Sequence, residues 1–183
     1  MKRQIYQFKI TLKGSKPPIW RSFQILNSSD FKILHQVIQT VMGWDSYHLF
    51  EFIIDDYIHI ADPEMIDDEF EKIVDYSCTK ISDYIREVGE KIVYIYDFGD
   101  GWIHNIVLEK FLPLSKSFKH TVCVGGKRAC PPEDSGGIGG YYWKLEVMED
   151  PDHPDHEDTM AWMGDFCPEY FDIDDINKEL KEI

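Results

Sequence analysis

A chain of 183 residues is long enough to bury one core and short for two domains. Its hydrophobic content of 43% and aromatic content of 14% are those of a globular protein, which excludes disorder, and no run of about 18 apolar residues offers a membrane span. A net charge of −15 argues against nonspecific nucleic-acid binding, which needs many Lys and Arg to neutralise phosphates.

Residues 4–12 alternate, with Ile5, Phe8, Ile10 and Leu12 apolar, and predict a strand with a slip or bulge at Tyr6-Gln7. Gly14 to Pro18 breaks it, and Ile19 to Leu26 reads as its antiparallel partner. The cations of the first 21 residues, Lys2, Arg3, Lys9, Lys13, Lys16 and Arg21, read as a charged outer face of that pair. Asn27 to Asp30 is an N-cap cluster. Behind it Phe31, Leu34, Ile38, Val41 and Met42 recur at helical spacing, and Gly43 suits the C-terminal cap, so a helix is expected over 30–42. Leu49 to Ile54 and Tyr57 to Ile60 are strands around an Asp55-Asp56 turn. Residues 61–78 are acidic and irregular.

A short amphipathic helix is expected from Ile81 to Val88, closed by Gly89. Ile92 to Phe98 and Trp102 to Phe111 form the clearest hairpin, turned at Gly99-Asp100-Gly101, because Asp-Gly supplies the positive φ values of a tight turn. Residues 112–140 are rich in Pro and Gly and too long for a neutral connector, which implies a functional loop or a packed Ω-loop. Helices are expected over Tyr141–Met148, Glu157–Met163 and Ile173–Leu180. No linker or internal repeat divides the chain, so the expectation is one α+β domain over 1–183, with antiparallel hairpins packed on several short helices.

The first residues alternate rather than forming the apolar stretch of a signal peptide. Cys78, Cys123, Cys130 and Cys167 show no Cys-x-x-Cys spacing. Free thiols and a cytoplasmic location are therefore expected.

Three constellations carry possible chemistry. The hairpin YIYDFGDGWIH gathers Asp97, Asp100, Trp102 and His104 near one turn. Carboxylates with an imidazole can bind a divalent metal or transfer protons. Against this, Asp beside Gly commonly bonds its own turn backbone, and Trp102 and His104 share a strand face as a packed pair would. The loop CVGGKRACPPEDSGG adds Glu133 and Asp134, and sets Lys127 and Arg128 beside glycines as in an anion nest. Its two cysteines are spaced too widely for a zinc knuckle, and thiolates mixed with carboxylates make an incoherent ligand set. His153-Pro154-Asp155-His156-Glu157 holds two histidines, but its prolines and aspartates read better as the start of the following helix. No Gly-x-Ser-x-Gly elbow or phosphate-binding glycine loop is present, and Trp44, His48 and Phe50 read as core or a helix–strand junction.

Segments spread over nearly the whole chain carry a resemblance. They are Pro18-Ile19-Trp20-Arg21, Leu34-His35, Met42-Gly43-Trp44, His48-Leu49, Tyr94 to His104, Gly125 to Asp134, Gly136-Gly137, Gly140-Tyr141 and Asp150 to Pro154. As an ordered set they resemble the plasmid pRiA4b ORF-3-like family, also met as passenger proteins of insertion elements. The resemblance implies a compact α+β domain and a link to mobile elements, not a chemistry. The family usually shows Cys after Glu-Asp where this chain has Ser135, which counts against an essential thiol there. The expected function is a binding or interaction module for a protein partner or polar small ligand, contacted by Asp97, Asp100, Trp102, His104, Glu133 and Asp134. The alternative is a metal-dependent hydrolase or nuclease-like enzyme with its ion on Asp97, Asp100, His104 and Glu133. A nucleic-acid partner would require the cations of residues 1–21 to cluster on one exposed face.

Overall fold

The computed structural model describes residues 2–64 and 73–183. The acidic stretch 65–72 lies outside the described residues, so the expectation of irregular structure there is met or missed only at its flanks. The fold is α+β, as expected. Strands β1 (Gln4–Leu12), β2 (Trp20–Leu26), β3 (Phe50–Ile54), β4 (Ile58–Ala61), β5 (Ile73–Asp75), β6 (Lys91–Tyr96), β7 (Trp102–Pro113) and β8 (Val122–Lys127) form one sheet. Its order is β5-β4-β3-β6-β7-β1-β2-β8. Neighbours pair antiparallel except β4 with β5.

The alternation of β1 places Tyr6, Phe8, Ile10 and Leu12 on one buried face. Tyr6, not Ile5, is the first residue of that face, so β1 itself carries no slip. The bulge lies opposite: Gln7 pairs with Lys110 and Phe8 with Leu108, which leaves Glu109 of β7 as the extra residue. Register then lays core residues in rows across the strands. One row runs Phe52, Tyr94, His104, Leu12, and the next inward turn of the sheet runs Ile92, Ile106, Ile10, Arg21, Gly126. Arg21 therefore points into the core and is not part of an outer charged face; it is 3% exposed.

Helix α1 (Phe31–Met42) covers these rows. Asp30 caps it by accepting from the Ile33 N–H at 2.8 Å, and Gly43 ends it in the left-handed region that other residues avoid. Its buried face carries Phe31, Leu34, Val37, Ile38 and Val41, each worth about 1.5–3 kcal/mol of hydrophobic burial. Phe31 meets Phe52 with ring centroids 5.1 Å apart, and His35 stacks on Phe50 at 3.6 Å.

The second helix is shorter than its sequence suggests. α2 (Ile81–Tyr84) is one turn, Ile85 is already extended, and Val88 is exposed, so no apolar face rewards a longer helix. The 112–140 stretch holds more regular structure than its Pro and Gly content implies. β8 pairs with β2, and α3 (Gly137–Glu149) starts four residues ahead of Tyr141. α4 (His156–Met163) and α5 (Ile173–Glu179) match expectation within a residue or so. Among the described residues no helix is long and apolar enough to cross a membrane.

Candidate metal-binding site

Three segments converge at one end of the sheet: the loop after α1, the β6–β7 turn, and the loop between β8 and α3. Trp44 Nε1 donates to the Pro131 carbonyl at 2.9 Å, the Asp45 N–H donates to Glu133 Oε2 at 3.1 Å, and the Tyr47 hydroxyl donates to Asp134 Oδ2 at 3.0 Å. These three bonds stitch residues 44–47 to residues 131–134. The turn joins them through Asp100, whose Oδ2 accepts from the Gly136 N–H at 2.9 Å. The approach is close: a Cβ on Gly137 would stand 2.4 Å from the Asp100 carbonyl oxygen. The hairpin and the loop, separate in sequence, thus share one surface.

The turn is not the two-residue Asp-Gly turn the sequence suggests. It spans Asp97 to Gly101 and closes with the Gly101 N–H on the Asp97 carbonyl at 2.6 Å. Asp97 itself takes the positive φ, 56°, while Asp100 does not. Its Oδ1 accepts from the N–H groups of Gly99 and Asp100 at 2.9 and 3.3 Å. This is the turn-capping use of Asp. It leaves Oδ2 aimed at His48.

His48 Nε2 stands 3.6 Å from Asp97 Oδ2 and 3.3 Å from Asp134 Oδ1. Donor atoms of the three residues lie within 4.8 Å of one another. Nε2 is shielded from solvent yet makes no hydrogen bond. Ligand atoms on one zinc ion, with bonds of about 2.0–2.1 Å, stand about 3.3–3.4 Å apart at tetrahedral angles. The two distances from His48 Nε2, 3.3 and 3.6 Å, lie near that spacing. Asp97 is buried, and the Asp134 side chain is 62% exposed, so the site opens on one side.

Glu133 borders the trio without facing it directly. Its Oε1 takes a short hydrogen bond from the Tyr96 hydroxyl, and that hydroxyl oxygen also accepts from the His48 N–H at 3.4 Å. Burial and the bond to Glu133 push the Tyr96 hydroxyl well above its usual range. Partial desolvation and the carboxylates of Asp134, Glu133 and Asp45 push Tyr47 up to about 12. Both phenols therefore stay protonated and act as donors to carboxylates near neutral pH.

Of the six residues singled out in the sequence, the structure brings Asp97, Glu133 and Asp134 together. Asp100 holds the loop. Trp102 and His104 lie fully in the core beneath Trp44, whose ring is 5.9 and 5.2 Å from theirs. Burial drives the His104 imidazole down to about 4, so it is neutral, and its Nδ1 lies 3.3 Å from the Tyr94 carbonyl oxygen. His48, read in the sequence as a junction residue, takes the imidazole position instead. Its presence beside Leu49 among the segments of family resemblance was the signal that could have marked it.

The remaining constellations resolve into architecture. Arg128 pairs with Glu169 at 2.8 Å rather than forming an anion nest. His156 Nδ1 bonds the Val147 carbonyl at 2.8 Å and His153 Nδ1 accepts from the Asp155 N–H at 3.1 Å, so the two rings serve different partners. The cations of the first 21 residues do not all share an exposed face: Lys9 lies over the Trp20 ring, while Arg21 is buried.

Known proteins are similar to this chain. The family model of the plasmid pRiA4b ORF-3-like protein matches residues 4–177. The uncharacterized protein y4hQ of Sinorhizobium fredii is 30% identical over 187 residues, covering 100% of this chain and 94% of its own. The crystal structure of MM3350, a protein of unknown function from Methanosarcina mazei Go1, superposes with a TM-score of 0.85 at 39% identity, covering 96% of this chain and 98% of its own. With the family model spanning nearly all of the sheet and helices described above, the chain belongs to the plasmid pRiA4b ORF-3-like protein family.

Proposed function

We propose that residues 1–183 act as one binding domain whose site takes a divalent transition-metal ion on His48, Asp97 and Asp134, with a polar ligand completing the coordination on the open side. The observation that carries this reading is the His48 Nε2 atom: it is shielded, unbonded, and 3.3–3.6 Å from two carboxylates. The competing arrangement is a protonated imidazole paired with the same carboxylates. That pair would gain most by pointing its N–H at one oxygen, and the ring does not do so. An imidazole with carboxylates suits zinc and its neighbours better than magnesium.

A second reading is a metal-dependent hydrolase. It is supported by the count of protein ligands, since three ligands and an open position are the pattern of catalytic zinc sites. In this reading the ion would polarise a bound water, and Glu133, already fixed by Tyr96 and Asp45, is the adjacent carboxylate.

Elemental mass spectrometry and zinc calorimetry on the full chain test the binding reading. The expected result is one ion per chain, with affinity lowered about 100-fold or more in His48→Ala and Asp97→Asn and unchanged in His104→Gln. Equal affinity in wild type and His48→Ala would remove the site. A zinc-loaded protein that hydrolyses phosphoester or peptide substrates, and loses this in Asp134→Asn, would favour the second reading.

A further inference from the structure

At the opposite end of the sheet lies a cavity of about 490 Å³. Here Ile5 of β1 pairs with Leu26 and Leu112, whereas the His48 site sits where Leu12 pairs with His104. Four cations line the cavity: Arg3, Lys116, Lys119 and Lys181. They come from three separate places, before β1, between β7 and β8, and after α5, so one charged run of sequence does not explain their meeting. No Asp or Glu lines it, in a chain where carboxylates outnumber Lys and Arg 34 to 19. Among the described residues none of the four is in an ion pair. Arg3 is also the shared wall of an adjoining cavity lined by Lys80, Arg86 and Asp83.

Four cations without a side-chain carboxylate among them repel each other across one concavity, and a bound anion relieves that cost. Hydroxyls of Ser29, Ser115 and Thr121 add hydrogen-bonding groups suited to phosphate oxygens, and the apolar part of the wall includes Leu26, Ile33, Leu114 and Phe118. A ligand matched to both halves carries phosphate at one end and a planar or apolar group at the other. The volume lies within the range of small-molecule sites. A long polyanion fits less well, since any segment beyond the cavity meets the acidic remainder of the surface.

We propose that this cavity binds a compact organic phosphate of nucleotide size. The test is calorimetry on the full chain in EDTA buffer, which keeps metal out of the His48 site, with ATP and inorganic pyrophosphate as probes. The expected result is one saturable ATP site per chain, weaker pyrophosphate binding at the same site, and loss of affinity as salt is raised. Lys116→Glu/Lys119→Glu, on an exposed connection, should bind ATP about tenfold or more weakly, and Arg3→Glu, from another element, should move it the same way. His48→Ala should bind as wild type does. Absence of saturable heat with either probe, unchanged affinity in both charge-reversal variants, loss of binding in His48→Ala, or binding of a single-stranded oligonucleotide without binding of ATP would each overturn the proposal.

Discussion

Arg21 is buried, and among the described residues it has no carboxylate partner. Its charge is met by dipoles instead. Nε donates to the Val41 carbonyl at 2.8 Å, in the last turn of α1 where the helix dipole is negative, and Nη1 donates to the carbonyls of Trp20 and Lys127 at 2.9 and 3.1 Å. The guanidinium also lies over the Phe171 ring at 4.7 Å, and Nη2 reaches Cys130 Sγ at 3.4 Å. One side chain thus ties α1, β2, β8 and the approach to α5. Arg21→Ala strands three carbonyls and removes the stem packing, for an expected loss of about 3 kcal/mol in urea unfolding. Arg21→Lys should recover little, because a single ammonium cannot reach the fork of acceptors. A loss below about 1 kcal/mol would show that water replaces the guanidinium at low cost. Two other buried residues set a pH dependence. Burial holds both His35 and His104 down to about 4, against 6.5 when unfolded. Between those values the unfolded chain takes up protons that the folded chain refuses, so stability is complete above pH 6.5 and falls as pH drops toward 4. The expected loss is roughly 3 kcal/mol per histidine across that window. His104→Gln should flatten part of the slope in urea midpoints taken from pH 7 to pH 4.5, and an unchanged slope would mean that His104 is not held neutral.

At the scale of elements, the contact between the β6–β7 turn and the loop leading into α3 shapes the candidate site. Gly137 has a φ of 67° and no room for a side chain against Asp100. Gly137→Ala should therefore cost about 1–3 kcal/mol and, by pushing the turn away from the loop, spread Asp97 from Asp134. Weaker zinc binding in a variant that remains folded is the expected outcome, and zinc affinity equal to wild type would show the two loops to be held independently. The same elements show what the sequence discloses. Period-2 alternation in β1 and β2 and the capped apolar stripe of α1 were legible because local pattern and tertiary burial agree. β8 was not, because Gly125 and Gly126 lower its strand propensity while doing structural work: a Cβ on Gly126 would stand 2.5 Å from the Phe171 ring that Arg21 lies over. Asp97, Glu133 and Asp134 were legible as polar residues in glycine-rich turns. His48 was not, because a histidine between a helix and a strand has no local signature, and its partners lie 49 and 86 positions away. His104 was assigned to the site by proximity along the chain, but strand alternation turns it into the core.

The whole molecule sorts its reactive groups by depth, and the thiols report this most simply. All four cysteines are free. Cys78 and Cys167 are exposed, while Cys123 and Cys130 are buried at opposite ends of the segment that docks β8 and its following loop onto β2 and α1. Burial raises both buried thiols, Cys130 to about 11 despite the opposing pull of Arg21, so neither supplies thiolate near neutral pH. Cys123 is further fixed by the α5 residue Asn177, which accepts from its N–H at 2.8 Å and donates to its carbonyl at 3.0 Å. Reaction of the inner pair therefore requires β8 to leave β2 and α5 to leave β8, an opening that breaks the Arg21 clasp as well. Titration of the native protein with an aromatic disulfide should modify two thiols per chain promptly, and the other two only as fast as the sheet opens; in urea all four should react together. Arg21→Ala should speed the slow pair in proportion to its loss of stability, since opening and global stability share the same contacts. Four fast thiols in the native wild-type protein would show that β8 detaches from the sheet without global unfolding.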